Sequence, residues 1–482
     1  MINQKANEMN RHYITTIITP LLLIMLGLTH GGCKKLVEPS IPNDKIAVNV
    51  VYASNNTAAS VLTRLLSDME TISEGTQGVP ILGALAADDL KMVFAPDAFT
   101  ASVYANNMTG SPLWWSYCYQ YIYTANDAIG QLTISKGVTD SVKRQLIGEA
   151  KFVRAFLYFN LVNFYGDVPL ALTTDYKVNM ELQRAPAVDV YKQIISDLTD
   201  AHELLSSKYP GFNIISTSSD HVRPTRMAAA ALLARAYLYT KDYAHAEASA
   251  SEVIANPVYG LAALDSVFLK NSREAIWQLS GLQSGYNDMD AYTFILTAAP
   301  DAYYHPFTLG DDLAGAFETG DLRGSKWVGS FSGYKFPYKY KSGTYPAPSI
   351  TEYIMMLRLG EQYLIRGEAR IQQDHIAEGV ADLNALRARA RGANPGDLPD
   401  LSVSMTKEDA LAAVEHERRV ELFTEWGHRW LDLKRTGRID AVMNTAAAAK
   451  NTTWDPRHAL FPIPPSEILT APGLAGHQNP GY

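Results

Sequence analysis

The chain has 482 residues, 47% hydrophobic and 19% charged, and Lys+Arg 42 against Asp+Glu 50 gives a formal net charge of -8. That apolar content is too high for a disordered chain, and the acidic surplus argues against a nucleic-acid partner, since neutralising phosphates takes a basic patch. The unusual residue is tyrosine, with Tyr 27 against Phe 15 and Trp 7. Its ring is apolar while its hydroxyl still hydrogen-bonds, a combination suited to half-exposed recognition surfaces.

At the N-terminus, Arg11 and His12 precede an apolar run from Tyr13 to Leu28, which closes on Thr29, His30, Gly31, Gly32 and Cys33. This reads as a signal peptide over residues 1–32 ending in a small-small-Cys cleavage site. The run is too short, and too interrupted by Thr15, Thr16, Thr19 and Pro20, to span a bilayer comfortably. It resembles the lipobox of bacterial lipoproteins, which implies lipidation at Cys33; the alternative is an ordinary secretory signal. Residues 33–45, with Pro39 and Pro42, then form a tether, and 46–482 a single domain. With Cys33 acylated, Cys118 is left as a free, buried thiol.

Most of the remainder is patterned for helix. Trp115, Tyr119, Ile122 and Asn126 share one face between Leu113 and Ile129, and a long amphipathic helix from Val142 to Tyr165 stops at Gly166 with Pro169 beyond. Phe152, Phe156, Phe159 and Phe164 on that helix read as core. A hairpin follows within 226–257, turning at Thr240-Lys241-Asp242, with Ala234 and Ala246 twelve apart. A second, within 361–391, turns at Asp374-His375 with Gly367 and Gly379 at the same interval, the spacing at which tetratricopeptide units pack their two helices. Between the hairpins, residues 259–349 lose helical period, gain short β-type pieces such as Ala275 to Leu279, and are rich in Gly, Asp, Pro and Tyr. A segment this long without regular structure is usually functional. The expected fold is therefore mainly α, a tetratricopeptide-like helical-repeat scaffold with a long, irregular, partly β insertion.

Four stretches in order resemble the SusD/RagB family of Bacteroidetes nutrient-uptake lipoproteins. They are Cys33-Lys34-Lys35-Leu36-Val37-Glu38; Ala150 to Phe156 continuing to Tyr165-Gly166-Asp167-Val168-Pro169-Leu170; Glu417 to Leu422 with Glu425 to Arg435; and Leu460-Phe461-Pro462-Ile463-Pro464 with the end Gln478-Asn479-Pro480-Gly481-Tyr482. The resemblance implies a helical lid on a SusC-like TonB-dependent outer-membrane transporter that binds oligosaccharide, or peptide, for import. Within the third stretch, Glu417, Glu421, Glu425 and Arg429 fall on one helical face, with Arg418 and Arg435 nearby. Like carboxylates at this spacing repel unless cations intervene, which favours a buried ion-pair network over a ligand site.

No catalytic constellation is present in the sequence. The histidines form no metal-ligand spacing, Gly281-Leu282-Gln283-Ser284-Gly285 misplaces the serine of a nucleophile elbow, and neither Rossmann nor P-loop glycines occur. Asp88-Asp89 and Asp311-Asp312 leave a surface glycoside hydrolase as the alternative to binding, and a bare scaffold would leave the tyrosine-rich insertion without a purpose. No cofactor or metal is expected. Family resemblance points to the regions Ala87 to Trp115 and Gly285 to Tyr340 for the ligand. Within them Asp88, Asp89, Tyr104, Asn107, Trp114, Tyr286, Asp288, Tyr304 and Trp327 are the candidate contacts, with Trp327 and one of Tyr286 or Tyr304 expected to stack on it. Removing residues 1–32 together with Cys33→Ala should give soluble protein; persistence in the membrane fraction of cells lacking the transporter rejects the lipid anchor.

Overall fold

Helix formation follows the apolar spacing closely. In this computed structural model, which describes residues 48–73, 78–280, 286–301, 303 and 305–482, the longer helices are α1 (Asn55–Asp68), α2 (Val79–Ala86), α3 (Ala98–Tyr104), α4 (Trp114–Ile134), α5 (Asp140–Tyr165), α6 (Ala187–Leu204), α7 (Arg226–Tyr239), α8 (Tyr243–Ile254), α9 (Leu359–Gln372), α10 (Ile376–Ala390), α11 (Lys407–Leu422), α12 (His428–Arg435) and α13 (Ile439–Ala449). The signal peptide, Cys33 and the tether lie outside the described residues. Among the described residues, no helix is long and apolar enough to cross a membrane.

Helix α5 is central because nearly every face of it is buried, polar Gln145, Glu149, Arg154 and Asn160 included. Phe152, Phe156, Phe159 and Phe164 are all buried, as expected, and Phe152 and Phe156 meet the Trp277 ring edge-on at 4.8 and 5.3 Å. It ends at Gly166, whose φ of 74° suits a residue without a Cβ. From α4 onward each helix packs on its neighbour in sequence through α10. Such nearest-neighbour packing is the defining property of a helical-repeat stack.

Both expected hairpins are present, α7 with α8 and α9 with α10, and each turns through a residue in the left-handed region, Lys241 (φ 61°) and Asp374 (φ 67°). The small residues sit where the helices approach. Ala234 and Ala246 are fully buried in one cluster with Leu238, Ala250, Ile365 and Ala369. At the second hairpin a Cβ on Gly379 would lie 2.6 Å from the Gly367 carbonyl oxygen and 2.5 Å from Ile371 Cγ1.

Helices α8 and α9 are in contact, although residues 255–358 separate them in sequence. The chain thus leaves the stack at one point and returns beside it. The ends of this insertion are tied by antiparallel pairing of β2 (Ala275–Leu279) with β6 (Ile354–Arg358), both wholly buried. Within it lie β3 (Phe307–Leu309) and the hairpin of β4 (Val328–Phe331) and β5 (Tyr334–Pro337). Strand β3 pairs antiparallel with β1 (Leu90–Met92), in register Leu90 to Leu309, Lys91 to Thr308 and Met92 to Phe307. That pairing brings together the two regions singled out in the sequence for ligand contact. Cys118 is a buried free thiol, as expected.

Gly379→Ala discriminates between helix propensity and packing. Propensity alone predicts a gain of about 1 kcal/mol, whereas overpacking against a backbone carbonyl predicts a net loss of about 1–3 kcal/mol in urea unfolding. A more stable variant would show that the α9–α10 approach is looser than described.

Candidate functional site

Beneath the insertion lies a buried ion network. Arg323, wholly buried, reaches Glu417 Oε2 at 2.9 Å, Glu421 Oε2 at 3.0 Å and Asp321 Oδ2 at 2.8 Å. Arg358 pairs with Glu421 Oε1 and Glu425 Oε2, each at 2.7 Å, and Arg387 with Glu417 Oε1 at 2.6 Å. Arg389 joins Glu274 to Glu421, and Lys339 joins Glu425 to the Glu421 carbonyl. The carboxylates read from the sequence are therefore a network, but they do not share one helical face. Helix α11 ends at Leu422 and α12 begins at His428, so Glu425 lies in the turn between them, where Thr424, Trp426 and Gly427 have positive φ, and Arg429 lies on the next helix. The network's cations are not the neighbouring Arg418 and Arg429, however, but residues brought in from the insertion and from α10. Arg418 belongs to a second cluster, donating from Nε to Asp432 at 2.7 Å. Burial would push the Glu421 carboxyl up, but Arg389, Arg358 and Arg323 outweigh it and hold it well below the usual carboxylate range. Burial lowers the Lys339 ammonium to about 8 against the opposing pull of Glu425.

Trp327 sits inside this network. It is 0% exposed, its Nε1 donates to the Leu264 carbonyl at 2.9 Å, and Lys339 Nζ lies 5.0 Å from its ring centroid. The expectation that Trp327 stacks on ligand is corrected: its ring is closed off by cations and by Phe268. Several other candidates are likewise interior. Trp114 packs against Phe164, Tyr165 and Phe461. Asp88 accepts from Arg429 and Arg419, each contact at 2.8 Å. Asp89, fully buried and lifted to about 6 by desolvation and by Asp88, faces the Thr424 amide. Asp288 caps the helix Met289–Phe294, accepting from the Ala291 amide at 2.9 Å, and desolvation raises it to about 7. None of these five presents a ligand face. The pattern could not reveal this, because a polar residue serving as a cap or ion partner has the same identity as one serving a ligand.

The surface candidates are fewer. Asn107 is exposed, while Tyr104 is half-buried under the Lys450 ammonium, 4.8 Å from its ring centroid. Tyr304 falls outside the described residues. Tyr286 stacks on Tyr345 at 4.4 Å between centroids and 28° between planes, and Tyr292 meets Tyr286 edge-on at 5.1 Å. Tyr345 is 55% exposed and Tyr303 86% exposed. The helix bearing Tyr292 packs on β3, whose partner β1 runs into exposed Phe94. An open groove of about 540 Å³ follows this ribbon, lined by Lys91, Met92, Thr308, Asp311, Tyr334 and Lys335 among others. Tyr345 and Phe94 were not among the candidate contacts. The clustering of tyrosine in the insertion signalled the first, and no pattern signalled the second. Asp311 is exposed and pairs with Lys91 at 3.1 Å.

Other hallmark residues join elements instead of facing ligand. Asn479 Nδ2 donates to the Tyr165 carbonyl at 2.9 Å and to the Phe461 carbonyl at 2.7 Å, so the chain end seals the turn after α5. Glu318, His416 and Glu417 approach closely enough for a cation, but Arg387 Nη1 already lies 2.6 Å from a carboxylate oxygen of each glutamate.

The family model described as "Starch-binding associating with outer membrane" matches residues 85–238, and the SusD family model matches 313–482. SusD-like protein P2 of Formosa agariphila is 26% identical, over 96% of this chain and 99% of its own length. Among solved structures, the surface glycan-binding protein A of Bacteroides fluxus superposes with a TM-score of 0.73 at 24% identity, covering 89% of this chain and all of that one. A laminarin-binding SusD-like protein gives 0.70 at 23%, covering 89% of this chain and 100% of its own.

Glu421→Gln tests the network. Removing one partner of a buried ion pair costs about 3–5 kcal/mol. Because the native carboxyl is held below its ordinary value of 4.5, its contribution is present above that pH and is lost as pH falls below it. Urea midpoints measured from pH 3 to 7 should be lower for Glu421→Gln at neutral pH, with a flatter acid limb; equal curves would reject the network as a source of stability.

Proposed function

This chain belongs to the SusD/RagB family, and we propose that it is a lipid-anchored cell-surface protein that captures a glycan on the tyrosine cluster of its insertion and passes it to a SusC-like TonB-dependent outer-membrane transporter. The observation that carries the reading is the Tyr286–Tyr345 stack with Tyr292 at its edge, on the solvent side of an insertion whose underside is locked by ion pairs. A sugar ring offers an apolar C–H face to a flat aromatic and hydroxyls to polar neighbours, so binding needs platforms and a few donors and acceptors, not a nucleophile or general acid. Half-exposed tyrosines meet that need with little loss of side-chain freedom on binding. The groove along β1 and β3, with Lys91, Asp311 and Tyr334, is a second surface on which a longer glycan would find hydroxyl partners.

Anchoring at Cys33 and the transporter partner are supported by the lipobox and by a family description that associates with the outer membrane. Because a structural relative binds laminarin, laminari-oligosaccharides are the first glycans to titrate. Tyr286→Ala and Tyr345→Ala should each weaken the glycan that binds by about tenfold, ~1.4 kcal/mol, in calorimetry. Trp327→Ala instead should lower the melting temperature. Unchanged glycan affinity in both tyrosine variants would sink the platform, and binding of peptides but no glycan would replace the substrate class.

A further inference from the structure

A larger cleft lies away from the insertion, where the α7–α8 turn, the end of α9, α11 and α12 converge. Its volume is about 670 Å³, within the range of small-molecule sites. Its walls combine apolar side chains such as Leu411, Val414 and Leu433 with the ring of Tyr243. Its lining carries seven Lys or Arg side chains against four Asp or Glu, the reverse of the balance over the whole chain.

Most of these cations are committed. Glu368 and Asp432 hold Arg435, and Asp88 holds Arg429 and Arg419. Arg418 differs. It is 3% exposed, its Nε alone is engaged, by Asp432, and its Nη1 and Nη2 are buried with no hydrogen-bond partner. The Tyr239 hydroxyl, also lining the cleft and close enough to Arg418 and Asp432 to interact electrostatically, is buried without a partner as well. Buried donors are almost always satisfied in native proteins, and a charged one left unsatisfied is costly. Three donors in want of an acceptor, beside a cationic cleft with an apolar wall, specify an anion.

We propose that this cleft is a second ligand site, independent of the tyrosine platform, for a carboxylate borne on a compact ring. Arg418 Nη1 and Nη2 receive the two carboxylate oxygens, in the two-pronged geometry that suits a guanidinium, and the Tyr239 hydroxyl supplies a third donor. The ring rests on the apolar wall. Arg418 lines the cleft, and its Nη1 and Nη2, covered in the unliganded protein, are uncovered to the ligand by side-chain movement.

The probe is D-glucuronate, titrated calorimetrically into the full-length lipoprotein in detergent, with D-glucose and inorganic sulfate as controls. Glucuronate should bind and glucose should not. Arg418→Gln should weaken glucuronate at least tenfold. Tyr239→Phe, which removes a hydroxyl with no bond to lose in the unliganded protein, should weaken it several-fold while leaving the melting temperature at or above the parent value; it decides the question should Arg418→Gln fail to fold. Tyr286→Ala should leave glucuronate affinity unchanged. No glucuronate binding, equal affinity for sulfate, or affinity insensitive to Tyr239→Phe would overturn the proposal, and loss of binding in Tyr286→Ala would move the anion to the platform.

Discussion

Everything about the insertion depends on the charges buried beneath it. Moving a carboxylate or guanidinium out of water costs several kcal/mol after relaxation, and only complete pairing recovers that cost. Glu417, Glu421 and Glu425 come from the C-terminal part of the helical scaffold, while Arg323, Lys339 and Arg358 come from the insertion. Glu417 and Glu421 also hold Arg387 and Arg389 of α10, but the cations of Glu425 are Lys339 and Arg358 of the insertion. Partial separation of the two halves therefore leaves an unpaired charge in a dry interior. Bidentate guanidiniums make the arrangement directional as well, so the insertion has one seating on the scaffold.

That seating explains how an irregular segment of this length can hold a defined outer face. A loop of about a hundred residues costs little more to close than one of fifty, because the entropic penalty grows only logarithmically. Its difficulty is definition, since few of its backbone groups are ordered by regular structure. Here the base is fixed by the β2–β6 pair, the middle by the β1–β3 pair to a distant part of the chain, and the underside by ions and the buried Trp327. What remains at the outer face is polar and aromatic, with Tyr286, Tyr292 and Tyr345 touching one another. A preorganised aromatic face binds with less ordering cost than a mobile one.

The scaffold was legible because its signals are periodic. Apolar spacing gave α5 within two residues of its start, and paired small residues twelve apart marked both hairpins at the positions where the helices touch. The carboxylates Glu417, Glu421 and Glu425 were legible as a network, but not the turn after Leu422 that carries Glu425, nor the cations, since Arg323 and Arg358 lie 94 and 63 residues from their partners and no local pattern records such a distance. The same limit explains the ligand candidates. Asp88, Asp288 and Trp327 were chosen for residue type and region, and type does not distinguish a cap, an ion partner or a buried indole from a contact surface. Of the individual candidates, Asn107 is exposed and Tyr104 and Tyr286 are half-buried, and part of the tyrosine crowding, Tyr286, Tyr292 and Tyr345, is also a cluster in space.

The residues that carry the family resemblance are themselves structural. Glu417, Glu421 and Glu425 neutralise the insertion's cations, Phe164 and Phe461 pack with Trp114, and Asn479 ties the chain end to the turn after α5. A sequence can therefore match these positions and still present a different face to solvent, because none of them touches that face. Residues at the outer surface of the insertion answer to no such constraint: a tyrosine there can be exchanged without unpairing a buried charge or opening the core. Ligand choice can thus change independently of the scaffold. In this chain the exposed face of the insertion carries Tyr286, Tyr292 and Tyr345, and none of the motifs that reveal the fold touches them.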